Sequence, residues 1–244
     1  MKKELQMYIR EYHRLIRDRI SYGQAVELAA IFPWWLLSLH LDTSPLKRGY
    51  PWINLPAIKI LKNILRPDAR VFEYGSGGST VFFAKRVMNV ISVEHDLLWQ
   101  RHVQDTVEKR GYGNAKIVHL PPTRDNSTET SDPSNPDAYL SRDKSVRGLS
   151  FKSYASFIDR YSDNYFDLIF IDGRARTSCV KHSTAKVKNA GCIVIDNTER
   201  DYYLDKAGHL LRGFQSLTVH GPVLGFKSYF CKTSFFFKPV KAAH

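Results

Sequence analysis

Residues 71–80 read Val-Phe-Glu-Tyr-Gly-Ser-Gly-Gly-Ser-Thr, and the next apolar run closes on Val93-Glu94. The first run ends on an acid, Glu73, and turns through Gly75, Gly77 and Gly78, with Ser76 and Ser79 among them. Glycines let a backbone approach a ligand closely. Glu94 follows about 20 residues later, where an acid takes both hydroxyls of a ribose. The set describes a pocket for a nucleoside-bearing cofactor. Glu73 narrows the choice, because a carboxylate there attracts an amino group and a sulfonium cation. That favours S-adenosylmethionine. A dinucleotide fingerprint wants a third small residue at position 80, where Thr80 stands, and rarely an acid at 73.

Two more apolar runs end on acids: Ile171-Asp172-Gly173-Arg174 and Ile195-Asp196-Asn197-Thr198-Glu199-Arg200. On neighbouring parallel strands these tips lie side by side. Asp172, Asp196 and the Asn197 amide oxygen could then converge on a hard cation such as Mg²⁺. The competing use is capping, since each acid precedes a helix and could accept from its first N–H groups. Arg174 and Arg176 could hold an anionic substrate, because a guanidinium pairs well with carboxylate or phosphate.

The elements that must position these residues alternate. Strand-like runs cover 70–74, 89–94, 115–120, 166–171 and 191–196, with helices expected over 78–87, 96–110, 151–161, 175–188 and 200–212. Such alternation predicts a parallel sheet with helices on both faces. The tail holds two strand runs, 215–220 and 227–237, with no helix between them. So short a link requires an antiparallel pair. The expected fold is α/β: a Rossmann-like seven-stranded sheet of five parallel strands plus a C-terminal antiparallel hairpin, with an N-terminal helical extension. Residues 1–55 form that extension and an entry loop, and 56–244 the main domain. The polar stretch 121–150 interrupts the rhythm after the third strand, as a lid over the ligand side or as a flexible insert.

Glu73-Tyr-Gly-Ser-Gly-Gly-Ser79, Glu94, the Phe166–Asp172 run and the terminal hairpin together resemble the class I S-adenosylmethionine-dependent methyltransferases. The resemblance spans roughly residues 55–238 and implies the cofactor set Glu73, Gly75, Ser76, Gly77, Gly78, Ser79, Glu94 and Asp172. A narrower likeness, to the cation-dependent catechol and caffeoyl-CoA O-methyltransferases, rests on Asp172 and Asp196-Asn197. It implies that these three hold a Mg²⁺ ion that binds the acceptor oxygen. The chain departs from that pattern at Ala175, where the catalytic lysine would stand. The base is then Asp172, His182 or Glu199, or none is needed. The expected activity is O-methylation of a small-molecule or glycan hydroxyl. The aromatic entry segment (Tyr50, Trp52) and the 121–150 lid would form the acceptor pocket. The alternative is an inactive, methyltransferase-like binding protein that docks on membrane or RNA through its basic N-terminal region.

Composition constrains the rest. The chain has 244 residues, 43% hydrophobic and 13% aromatic, enough for a real core and incompatible with wholesale disorder. A net charge of +12 favours anionic partners. Nucleic acid is set aside, because the fourth tip reads Asp172-Gly-Arg-Ala175 and lacks the Pro-Pro-aromatic turn of base amine methylation. No P-loop, zinc cluster or hydrolase elbow is present. Three scattered cysteines and a start without an apolar leader lead to a cytoplasmic expectation. The sequon Asn126-Ser127-Thr128 reads as chance. The apolar stretch 25–41, broken by Glu27, Pro33 and His40, reads as a buried helix pair or as an interfacial membrane contact.

Overall fold

The computed structural model describes residues 2–40, 44–125 and 131–240. The sequon lies outside them, as do parts of the entry loop and of the 121–150 insertion. In chain order the elements are α1 (Lys2–Arg17), α2 (Tyr22–Ser38), α3 (Pro45–Arg48), α4 (Leu55–Ile64), β1 (Arg70–Tyr74), α5 (Gly78–Ala84) and β2 (Asn89–Glu94). There follow α6 (Leu97–Lys109), β3 (Ala115–His119), β4 (Thr123–Arg124), β5 (Leu149–Ser150), α7 (Lys152–Ser156) and β6 (Phe166–Ile171). The chain closes with α8 (Arg176–Ser183), β7 (Val187–Asp196), β8 (Gln215–Gly221) and β9 (Cys231–Phe237).

The main sheet has seven strands in the order β3-β2-β1-β6-β7-β9-β8. The first five run parallel, and β9 is antiparallel to both β7 and β8. Strand side chains alternate between two faces, so each strand feeds two cores. Phe72, Ile91, Ile169 and Ile193 pack on one face, and Val71, Val90, Leu168 and Val194 on the other. All are buried. The strand order reverses between β1 and β6. At such a switch point the connections leave in opposite directions and open a crevice above the strand tips.

Several boundaries differ from the sequence expectation. Residues 200–212 form two short 3₁₀ turns, Asp201–Tyr203 and Gly208–Leu211. Gly208 interrupts the run, and tyrosines are indifferent helix formers. Helix α8 stops at Ser183, and β7 starts early at Val187 with an irregularity opposite Phe166 and Leu168. The second tail strand starts at Cys231, four residues late. The described part of the insertion is pinned: Asp132 pairs with Lys206, Asp137 with Lys181 and Asp143 with Arg174.

The N-terminal helices dock on the tail. Tyr8, Leu28, Trp35 and Phe230 share one cluster, and Trp35 Nε1 donates to the Phe226 carbonyl at 3.1 Å. The opposite face of α2 exposes Tyr22, Val26, Trp34 and Leu37. Among the described residues no helix is long and apolar enough to cross a membrane.

Asn54 joins these parts. Its Oδ1 accepts from Ala57 N at 2.9 Å and caps α4, while Nδ2 donates to Thr233 Oγ1 at 2.8 Å and the Cys231 carbonyl at 3.2 Å. The residue is fully buried. Nδ2 also lies 3.4 Å from the Val219 carbonyl on β8, so Asn54→Ala removes the cap and strands three acceptors and should lower stability by about 2–4 kcal/mol. Urea unfolding measures this as a lower midpoint with unchanged slope.

Candidate active site

The tips of β1 and β6 meet at the switch point. Gly75 has φ +92°, and a side chain there would meet Gly173 Cα at 2.8 Å. A side chain on Gly78 would come within 2.2 Å of the Tyr50 carbonyl oxygen, so that glycine serves packing of the entry loop on α5. At Gly77 the nearest atom would be Trp99 at 3.9 Å, which leaves this glycine facing open space. A cleft of about 640 Å³ opens here, lined by Gly75 to Ser79, Glu94, Asp172, Trp99 and Trp52.

Glu73 lies beneath the floor of this cleft and is fully buried. Its register partner on β2 is Ser92. One oxygen, Oε2, accepts from Ser92 Oγ and from Thr80 Oγ1 at 2.6 Å. The other, Oε1, is buried and accepts no hydrogen bond. Burial pushes this carboxyl up to about 7, against the pull of the Ser79, Ser92 and Thr80 hydroxyls. An orphaned, buried acceptor at that tip fits a ligand ammonium group.

Glu94 lines the cleft and is saturated. Oε2 accepts from Ser76 N at 3.0 Å and Ser76 Oγ at 3.1 Å; Oε1 accepts from His95 N at 2.7 Å and Asp96 N at 3.1 Å. Burial raises its pKa, but His95, Asp96 and Ser76 outweigh that and hold it below the usual carboxylate range. His95 Nδ1 stands 2.6 Å from Oε1, and Arg174 Nε donates to His95 Nε2 at 3.4 Å. That order requires the Nδ1–H tautomer. Ribose hydroxyls can reach Glu94 by displacing the Ser76 hydroxyl or the His95 ring.

Asp172, Asp196 and Asn197 do come together, but around Arg176. Its Nη2 donates to Asp172 Oδ1 and the Asp172 carbonyl, both at 2.9 Å. Nη1 donates to the Asp196 carbonyl and to Asn197 Oδ1 at 3.3 Å, and Nε to the Gly173 carbonyl at 3.1 Å. All five N–H groups are thus used. The guanidinium is buried and takes the space a metal would need. Burial and the neighbouring Asp172 push the Asp196 carboxyl up, and its Oδ1 accepts from Thr233 Oγ1 at 2.6 Å. A hard cation needs ionised oxygen ligands. Asp172 Oδ1 and Asn197 Oδ1 are already taken by the Arg176 guanidinium, so the donor set expected for Mg²⁺ does not fit one. No cluster of three or more His, Cys, Asp or Glu residues suited to a metal occurs among the described residues.

The other expected bases lie elsewhere. His182 pairs through Nδ1 with Asp159 at 2.7 Å and faces the Tyr139 hydroxyl at 3.3 Å, away from the cleft. It is six residues past Arg176, about 240° around the helix. Glu199 turns to β9 and accepts from Lys232 N at 2.8 Å. Asp172 remains: 23% of its side chain is exposed, and it lines both the cleft over the glycine turn and a smaller pocket of about 250 Å³ beyond Trp52. Burial pushes its carboxyl up, with Arg176 pulling against that. Ala175 has φ +45°, is 3% exposed and packs in the core. A side chain at 175 turns inward, which explains why a lysine is not found there. Of the entry aromatics, Trp52 reaches the site, and Tyr50 packs on Phe82.

Sequence reasoning missed Arg142, Trp99, Arg200 and Tyr203. A signal for Arg200 was present: Asp196/Arg200 repeats the acid-to-arginine spacing of four seen in Asp172/Arg176 after the neighbouring strand tip.

No family model matches the chain, and no curated protein matches it. Solved structures do. An rRNA methylase from Streptococcus thermophilus aligns at TM-score 0.51 and 12% identity, covering 82% of this chain and 99% of that one. A protein from Streptococcus mutans described as a methyltransferase, in complex with SAH, aligns at TM-score 0.50 and 10% identity, over 73% and 94%. TrmN from Thermus thermophilus gives TM-score 0.50 and 11% identity, over 75% and 48%. At such identities the likeness is one of fold, the Rossmann-like methyltransferase sheet.

Asp196 gives a pH signature. Between the unfolded value near 3.8 and the folded value of about 8, the native chain holds a proton that the unfolded chain has released. Stability therefore falls as pH rises through that window. Asp196→Asn removes this contribution, so its melting temperature should fall less than wild type from about pH 5 to about pH 8. Millimolar Mg²⁺ should leave the wild-type melting temperature unchanged.

Proposed function

We propose that the chain is an S-adenosylmethionine-dependent methyltransferase acting on a hydroxyl of a small-molecule or glycan acceptor. The observation that carries this reading is the orphaned Glu73 Oε1 beneath an open glycine turn at the switch point. S-adenosylmethionine, when bound, supplies an electrophilic methyl group. Glu73 would hold its amino group, Gly77 would leave room for its backbone approach, and Glu94 would take its ribose.

The acceptor would enter beyond Trp52, beside Asp172. Asp172 would accept the hydroxyl proton, since burial has raised its basicity. Arg176 would fix that carboxylate in place. Trp52 and the entry loop would exclude water and align the oxygen with the methyl group, which is the main demand of such a displacement.

Two rivals have observations of their own. The names of two fold neighbours refer to rRNA methylation and to TrmN, and the net charge of +12 suits RNA. The exposed apolar face of α2, with Trp34 at its surface, suits a methyltransferase-like protein that docks on a membrane. Methyl transfer to hydroxylated glycans and small molecules, with total RNA and anionic liposomes run in parallel, separates the three.

Calorimetric titration tests the cofactor half. Wild type should bind S-adenosylmethionine, and Glu73→Gln should weaken binding at least about tenfold, the scale of one charge-assisted hydrogen bond. Glu73 must ionise to accept an ammonium group. Wild-type affinity should therefore rise from about pH 6 to about pH 8, with a flat profile in Glu73→Gln. Absent binding at millimolar ligand would sink the reading.

A further inference from the structure

A second, strongly polar pocket of about 360 Å³ adjoins the cofactor cleft and shares Gly173, Arg174 and Arg176 with it. Its walls come from three separate parts of the chain. Arg142 and Asp143 arrive from the insertion before β5, Arg174 from the turn after β6, and Arg200, Tyr202 and Tyr203 from the turn after β7. Two of its arginines are neutralised: Arg174 by Asp143, and Arg176 by Asp172. Arg142 and Arg200 form no ion pair with a carboxylate among the described residues.

Both are nonetheless held in place. The Arg142 guanidinium lies 3.9 Å from the Tyr202 ring centroid. Arg200 Nη1 donates to the Tyr203 hydroxyl at 3.2 Å, and the two tyrosine rings sit 4.4 Å apart. Stacking on an aromatic face orients the Arg142 guanidinium without using up its in-plane N–H groups, whereas Arg200 is aimed by spending one N–H on Tyr203. Burial and the neighbouring Tyr203 push the Tyr202 hydroxyl up, so it keeps its proton. The pocket thus presents two oriented positive forks and a hydroxyl donor on ground where like charges repel. A free oxyanion relieves that repulsion and satisfies the forks.

We propose that this pocket binds a phosphate-, sulfate- or carboxylate-type group on the acceptor and so selects an anionic acceptor. The proposal rests on the methyltransferase reading above. An oxyanion seated between Arg142 and Arg200 tethers the acceptor next to Asp172, whose carboxylate is tied to Arg176 on the shared wall.

The test is calorimetric titration of the full chain with inorganic phosphate, sulfate and acetate at fixed ionic strength, with S-adenosylmethionine titrated in parallel. Wild type should show saturable binding of at least one of the three, and which one binds best identifies the acceptor group. Arg142→Gln and Arg200→Gln should each weaken it about tenfold, as loss of one charge-assisted pair does. Arg200→Lys should fall between, and Arg212→Gln, an arginine outside the pocket, should match wild type. S-adenosylmethionine affinity should be equal in all variants, because neither Arg142 nor Arg200 lines the cofactor cleft. Absence of saturable oxyanion binding to wild type, or binding indifferent to both Gln substitutions, overturns the proposal. So does RNA oligonucleotide binding that needs Arg200 while no small oxyanion binds. Oxyanion binding without S-adenosylmethionine binding would instead strike the methyltransferase reading.

Discussion

The buried guanidinium of Arg176 is the constraint on which the site depends. Its five hydrogen bonds reach Asp172, Gly173, Asp196 and Asn197, which are the tips of two neighbouring strands. A buried charge without partners would be prohibitive, and partners without the charge would leave carbonyls and a carboxylate stranded. Each therefore requires the other. The turns that satisfy this bonding are forced ones: Ala175 and Asn197 both adopt left-handed backbone conformations. Strain of that kind persists only where surrounding contacts fix it.

Three spaces open around this staple. The cleft over the glycine turn lies toward β1 and β2, the small pocket beyond Trp52 toward β9, and the arginine-rich pocket toward the insertion. Asp172 borders the first two and Arg176 borders all three. Elements far apart in sequence supply the outer walls: the entry loop brings Trp52, the insertion Arg142, and the turn after β7 Arg200. The entry loop is itself held by the absence of a side chain at Gly78 and by Asn54, which ties α4 to β8 and β9. The cleft is thus assembled by tertiary packing over a rigid sheet edge.

Much of the sheet was legible because its signals are local. Alternating apolar runs marked the five parallel strands, and a link too short for a crossover marked the final hairpin. Glu73, the glycines and Glu94 sit within 22 residues, so the shape of the turn was written in one stretch of chain. The acids after β6 and β7 were read correctly as neighbours, yet not for what fills the space between them. A nearby arginine competes with a metal for the same oxygens, and its reach depends on the turn at Ala175. His182 was misplaced because its side of α8 follows from where that helix begins. Arg142 was invisible, since an insertion's landing point is fixed by long-range ion pairs such as Asp132 with Lys206. The turns at 200–212 lost their helix to Gly208 and to the docking of Tyr203 beneath Arg176, 5.1 Å from its ring.

The most direct measurement is a crystal structure of the chain with S-adenosylhomocysteine. The ligand should lie in the cleft over Gly77, its amino group reaching Glu73 Oε1 directly or through one water. Its ribose should be on Glu94, and the five Arg176 bonds should remain unchanged. A cleft left empty at saturating ligand, or a bound ligand that leaves Glu73 Oε1 without a partner, would contradict the assignment of this site.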